Sequence, residues 1–372
     1  MIDWNHIEST VLCRFEEDLR QTQQSPVFHA EGDAYTHTLM VCDALKNYPQ
    51  YQELNERQKH ILYVAALLHD IGKIHTTKYI NDDWHSPHHA PLGSRMAREL
   101  LWKDYGLCGQ RELMEVREAI CLLICYHSFP PFAIDVEDAR LRLHRMASNS
   151  LLVPDFSIRL LCILCKADML GRRCEDQQQM LEQIALCEEL AMEEDCFDSC
   201  FSFPSQQIQR RYLAGHGVWK EQNLFDESWG EVVMMSGLPG TGKDTWIQRN
   251  MPDKPVISLD DIRRELKVSP TDDQGYIANI AREQAKDYLR KHQSFVWNAT
   301  NITAQMRESL ISLFETYHAH VRIVYLETEW QTLMERNHNR EFKVPEPVIE
   351  KMLGKLAPPE PHEARIVEWK SI

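Results

Sequence analysis

At 372 residues, 43% of them hydrophobic and 26% charged, the chain is long enough for two ordinary domains and has the balance of a soluble globular protein. The opening MIDWNHIEST carries acid and no basic n-region, and no apolar run nears the roughly 20 residues of a membrane span, so neither a signal peptide nor a membrane partner is expected. Eleven cysteines then read as free thiols in a cytoplasmic protein, and Cys162-Ile-Leu-Cys165, set in an apolar helical pattern, as core cysteines. The net charge of −15 is uneven: residues 230–372 hold 19 Lys+Arg against 21 Asp+Glu, and the remainder 22 against 35. That sign argues against a broad duplex-binding face. A polyanionic substrate would have to be gripped locally.

Apolar residues at 3.6 spacing recur over 39–48, 57–70, 92–102, 111–126, 156–169 and 177–192, which predicts an all-α domain over 1–195. Residues 196–228 lose that period and read as a connector with one short helix. From 229 to 372 the texture changes to short strand-like runs, EVVMMS, PVISL, FVWNA and VRIVYL, separated by helical stretches. These predict an α/β domain with a parallel sheet.

In the helical half, His69-Asp70 alone is what chance supplies in a chain with 17 histidines. Its surroundings carry the signal. His37 opens a helical segment, and LLHDIGK puts His69 and Asp70 at a helix end followed by Gly72 and Lys73. His89 precedes Gly93, His127 ends CLLICYH, and Asp168 lies in LCKADMLGRR. A single buried histidine is more often a hydrogen-bonded core residue than a ligand; six such residues together reverse those odds. The order H…HD…H…H…D resembles the HD phosphohydrolase superfamily over about residues 30–175. That resemblance implies that His37, His69, Asp70 and Asp168 hold one metal and that Asp70 bridges to a second, held by His89 and His127. A single-metal version would use the first four alone. Imidazoles and carboxylates suit Mn, Fe, Co, Ni or Zn. Lys73, or one of Arg142, Arg145 and Arg172, would hold the substrate phosphate. His88 competes for the role of His89, while His75 and His85 read as surface residues.

In the second half, Gly237-Leu-Pro-Gly240-Thr241-Gly242-Lys243 fits GxxxxGK between a strand-like run and a helical stretch. Glycines let backbone N–H groups turn inward around phosphate oxygens, and the lysine reaches the β/γ-phosphates. Where Ser or Thr ordinarily follows the lysine to supply a Mg²⁺ ligand, this chain has Asp244, then Thr245. A carboxylate can hold Mg²⁺ directly or through water. Asp260, directly after PVISL, stands where a general base would face the ligand crevice, and Arg263 shares its helical face. The plain alternative for this pair is an acidic helix start with a solvated arginine. Arg336 and Arg340, four apart, are expected on one face of a helix.

GLPGTGKDTW, DDIR, a strand ending in Ala299-Thr300-Asn301, and ERNHNR resemble, in that order, the kinase module of phage-type polynucleotide 5′-kinases over about residues 230–345. The resemblance implies that Lys243 stabilises phosphates, Asp260 deprotonates a 5′-hydroxyl and Arg263 binds the phosphate beside the acceptor nucleotide. Arg340 and Arg336 would serve the donor nucleoside triphosphate (ATP or GTP, with Mg²⁺), while Thr300 and Asn301 line the acceptor path. The family often has an acid at the position of Ala299 and Ser at that of Asp244.

Together the halves resemble bacterial fusions of an HD domain with a polynucleotide kinase, which heal RNA ends. This implies removal of 2′,3′-cyclic or 3′(2′)-phosphates and NTP-dependent phosphorylation of 5′-OH ends on RNA or DNA. Two rivals remain: an HD nucleotide hydrolase joined to a small-metabolite kinase, and a nucleotide-gated sensor. Self-association is open.

Overall fold

The computed structural model describes residues 2–268 and 274–372, which fall into two compact units. The first runs to Leu107 and resumes at Glu112–Phe201; the second takes Cys108–Arg111 and Ser202–Ile372.

The first unit is helical because its sequence starts and stops helices clearly. Asp33 accepts from Thr36 N to cap Ala34–Asn47, and Asn55 with Gln58 forms a capping box at the head of Glu56–Leu68. Ser157 caps Ile158–Leu170, whose ten buried residues make it the central helix. It packs against Ala34–Asn47, Glu56–Leu68 and Gln177–Glu193. Cys162 and Cys165 are fully buried on it, and Cys165 Sγ donates to the His127 carbonyl at 2.9 Å. One departure from the helical pattern is a small antiparallel hairpin, β1 Lys78–Ile80 with β2 Asp83–His85, turned by Asn81 and Asp82 at positive φ.

An ionic group sits inside this unit. Glu118 bonds both Arg98 and Arg117 at 2.7–3.0 Å; all three are buried, and Arg117 also stacks over Trp102. Burial alone would raise the Glu118 carboxyl, but the two guanidiniums overcome it and hold it below its usual range. Glu118→Ala strips both arginines of their shared carboxylate. It should lower stability by about 3–5 kcal/mol, whereas Glu16→Ala, which breaks the exposed pair with Arg20, should leave the melting temperature nearly unchanged. Thermal melts of the two variants test the contrast.

The second unit is a five-stranded, wholly parallel sheet in the order β4-β5-β3-β6-β7: β3 Gly230–Ser236, β4 Val256–Ser258, β5 Phe295–Asn298, β6 Ala319–Glu327 and β7 Ile366–Ser371. Both faces are covered, as parallel sheets require. Along β3, Val232 and Met234 pack into one core with Ile277, Leu310 and Phe314, while Val233 and Met235 pack into the other with Ile247 and Leu326. Within 196–228, Gln206–Leu213 forms a helix capped by Ser205, and Arg210 pairs with Glu315 of the second unit. Among the described residues no helix is long and apolar enough to cross a membrane.

Candidate functional site

The first unit carries a buried cluster built from five helix or turn positions. His37 lies within Ala34–Asn47, His69 and Asp70 follow Glu56–Leu68, His89 opens His89–Lys103, His127 follows Arg111–Tyr126, and Asp168 lies within Ile158–Leu170. His37, His69, Asp70, His127 and Asp168 are each 2% exposed or less. His69, His89 and His127 share one local device. Each turns Nδ1 toward a carbonyl three residues earlier: Ala66 at 2.8 Å, Ser86 at 2.8 Å and Ile124 at 2.7 Å. An Nδ1–H so placed leaves the Nε2 lone pair for the cluster centre.

Asp70 divides the cluster. Its Oδ2 lies 3.2 Å from His69 Nε2 and 3.6 Å from His37 Nε2, and its Oδ1 lies 3.5 Å from His89 Nε2 and 3.9 Å from His127 Nε2. Asp168 Oδ1 meets His37 Nε2 at 2.9 Å and stands 4.0 Å from His69 Nε2. The Nε2 atoms crowd in pairs, 3.4 Å for His37 with His69 and 3.2 Å for His89 with His127. No well-aligned hydrogen bond reaches either oxygen of Asp70, although both are buried, and the cation beside it is the Lys73 ammonium, 2.8 Å from Oδ2. A buried carboxylate so placed, ringed by converging imidazole nitrogens, fits a divalent cation. The triads His37-His69-Asp70 and Asp70-His89-His127 each lie close enough to hold an ion.

Two cations of the protein flank the cluster. Lys73 is buried, with Nζ 2.8 Å from Asp70 Oδ2 and donating to Gln24 at 2.6 Å, and Arg172 grips Asp168 through Nε and Nη2 at 3.2 and 2.7 Å. Despite burial, the Arg172 guanidinium holds the Asp168 carboxyl well below its usual range. Burial pushes His127 down to about 3, so it is neutral and able to donate a lone pair at any ordinary pH. Of the arginines considered from sequence, Arg172 is the one that reaches the cluster. Arg142 is exposed, as are His75, His85 and His88. His89, not His88, joins the cluster; His88 takes the left-handed turn before the helix, at φ 58°. Gly72 sets the spacing between His69 and His89. A Cβ there would lie 2.0 Å from the His89 carbonyl oxygen, so no side chain fits.

Glu31 joins the cluster without any signal in the sequence pattern. Its buried carboxylate sits 2.8 Å from His29 Nδ1 and 3.0 Å from His37 Nδ1, and it accepts from Arg173 N at 2.9 Å. It lies in a loop, where no periodicity exists for a charged residue to interrupt.

The second unit carries a phosphate cradle at the C-terminal end of its central strand β3, where α/β sheets bind ligands. Gly237 has φ 141°, and a Cβ there would lie 2.5 Å from the Leu326 carbonyl oxygen. Gly240 and Gly242 are also at positive φ, and Thr241 Oγ1 bonds the Leu238 carbonyl within the loop. Lys243 Nζ donates to the carbonyls of Gly237 and Leu238 at 3.0 and 2.8 Å, curled over the loop. Its desolvation there lowers the ammonium to about 8, against the raising effect of Asp244 and Asp260. Lys243–Asn250 follows as a helix, with Asp244 and Thr245 exposed on its first turn.

Asp244 is held from two sides: Asn298, at the end of β5, donates to Oδ1 at 2.6 Å, and Arg340 Nη2 lies 3.8 Å from Oδ2. Across the crevice, Asp260 and Arg263 form an ion pair on Leu259–Leu266, the helix after β4. Arg336 brings a guanidinium nitrogen with no hydrogen-bond partner toward the loop, 3.6 Å from where a Cβ on Gly242 would sit.

Two expectations need correction. Arg336 and Arg340 do not share a helix, because Trp330–His338 ends before Arg340. The Asn337 side chain bonds both the N–H and the carbonyl of Val344, tying down the following loop, and Arg340 points to Asp244 from the turn. Asn301 does not offer its side chain to an acceptor path. It is 2% exposed, and its amide donates to the Met235 carbonyl at 2.7 Å. Its neighbour Thr300 accepts from Gly237 N at 2.9 Å through its backbone.

Residues 34–170 match the family model of the HD domain, and residues 232–359 match that of an AAA domain. The chain therefore joins a metal-binding HD hydrolase domain to a kinase-like, nucleotide-binding P-loop domain.

Proposed function

We propose that the chain heals RNA ends: the HD half removes 3′- or 2′-terminal or 2′,3′-cyclic phosphates, and the P-loop half phosphorylates 5′-OH ends from ATP or GTP with Mg²⁺. The observation that carries this reading is Asp70, which turns one oxygen to His37 and His69 and the other to His89 and His127. That division supports a site able to hold two transition-metal ions, in the same chain as an NTP cradle faced by an acid–arginine pair. Such ions supply Lewis acidity toward phosphoryl oxygens and lower the pKa of water.

In the HD half, His37, His69, Asp70 and Asp168 hold one ion, and His89 and His127 with Asp70 hold the other. Lys73, beside Asp70 Oδ2, and Arg172, beside Asp168, neutralise the substrate phosphate. In the kinase half, Lys243 and Arg336 bind the donor phosphates, with backbone N–H groups of Gly237, Gly240, Thr241 and Gly242. Thr245 stands at the same helix start. Asp260 accepts the 5′-hydroxyl proton as the oxygen attacks the γ-phosphorus and the bond to the β,γ-bridging oxygen breaks, releasing the nucleoside diphosphate; Arg263 binds the acceptor phosphate. Thr300 lies at the end of the neighbouring strand, toward the acceptor.

Asp244 takes the Mg²⁺ role of the usual hydroxyl, oriented by the Asn298 amide and by Arg340. Asp244→Ala should then lose kinase activity by about 10²-fold, and Asp244→Ser should recover most of it. An unaffected Asp244→Ala enzyme would remove the carboxylate from the metal site.

The decisive assay offers a 5′-OH, 3′-phosphate oligoribonucleotide with NTP and Mn²⁺ or Ni²⁺, and scores both ends. Conversion of neither end defeats the end-healing reading. Turnover of mononucleotides or a small alcohol in its place favours an HD nucleotide hydrolase joined to a metabolite kinase. NTP binding without any transfer favours a sensor.

A further inference from the structure

Three of the four clustered histidines anchor Nδ1 on a backbone carbonyl, and His37 is the exception. Its Nδ1 has no well-aligned hydrogen-bond partner, and the group beside it is Glu31 Oε1, 3.0 Å away and almost wholly buried. His37 Nε2 lies 2.9 Å from Asp168 Oδ1. A cation at Nε2 requires the imidazole proton on Nδ1, and a buried Nδ1–H requires an acceptor. Glu31 stands ready as that acceptor. It is fixed from the other side by Arg173 N at 2.9 Å and by a backbone bond from Ala30 N to Arg173 O at 3.0 Å, which tie its loop to the chain just past the central helix.

We propose that Glu31 is a positioning residue that holds His37 in its metal-binding tautomer, and that it sets the affinity of the His37/His69/Asp168 position while leaving the His89/His127 position unchanged. The selectivity follows from the geometry. Glu31 touches His29 and His37, whereas His89 and His127 are anchored by Ser86 and Ile124. This inference rests on the two-metal reading of the cluster.

The test is a Mn²⁺ titration of the full chain, reading free ion by electron paramagnetic resonance and following the exchange-coupled signal of a Mn²⁺ pair. Wild type should bind two ions. Glu31→Ala should weaken one of them by about 10–100-fold and leave the other within about threefold, with the coupled signal lost at ion concentrations that saturate wild type. Glu31→Gln, which keeps an accepting oxygen, should recover most of the affinity, and His29→Ala should leave both sites as they are. Should Glu31→Ala fail to melt cooperatively, Glu31→Asp, which draws the carboxylate back by one methylene, carries the same selective loss. Unchanged affinities in the Glu31 variants, or equal weakening of both sites, overturn the proposal. An equal loss in His29→Ala also overturns it, because Glu31 would then be a direct ligand together with His29. A wild-type protein that binds fewer than two ions brings down the underlying two-metal reading, and the proposal with it.

Discussion

Asp70→Ala is expected to abolish phosphate release from RNA 3′ ends, by about 10³-fold or more, while 5′-phosphorylation continues at its wild-type rate. The size follows from position. Each of the other donors serves one side of the cluster, but Asp70 faces both, so its loss removes a donor from both triads at once. It also leaves two close pairs of imidazole nitrogens, at 3.2 and 3.4 Å, with less negative charge to hold a cation between them. Metal content by mass spectrometry should fall from two equivalents toward zero, and the far-ultraviolet spectrum should stay helical. Retention of phosphatase activity in a folded Asp70→Ala protein would mean that the catalytic centre lies elsewhere. Loss of the 5′ reaction as well would mean that the two activities depend on one another.

Lys243→Ala should produce the opposite pattern: 5′-phosphorylation down by about 10²–10³-fold, equivalent to about 3–4 kcal/mol of transition-state stabilisation, with phosphate release intact. Nζ is the side-chain cation folded over the loop carbonyls, within the fields of Asp244 and Asp260. Charge building on the transferring phosphoryl group needs a fixed cation there more than the ground state does, so kcat should fall along with NTP affinity. Arginine at the same position should restore little, because its planar fork cannot take the place of a point charge enclosed by two carbonyls. Radiolabel transfer from γ-labelled NTP to a 5′-OH oligonucleotide measures both variants. A Lys243→Ala enzyme with wild-type kcat would exclude the loop from catalysis.

Much of this was legible because chemistry interrupts periodicity. His127 and Asp168 break apolar helical patterns, and a polar group that folding must bury announces a use. The glycine loop was legible for a different reason: positive φ and close backbone approach leave little choice of residue at Gly237. Glu31 was hidden because it sits in a loop, where no pattern exists to be broken. Asn298 was hidden because it closes an apolar strand as one more strand residue, and only the pairing of β5 beside β3 brings it to Asp244. β7 escaped notice because Glu368 and Lys370 give it the charged alternation of an edge strand, while the runs recognised from sequence lie further in. Arg340 departs from the helical spacing because the helix stops at His338, two residues before it.

The stitch between Gly237 N and the Thr300 carbonyl, doubled by the Asn301 amide on Met235, has a kinetic consequence. The phosphate cradle and the segment that follows β5 are one mechanical piece, so a change in one reaches the other. Asn301→Ala should therefore register first as a raised KM for the nucleoside triphosphate, with the oligonucleotide KM following, even though position 301 meets neither substrate through its side chain.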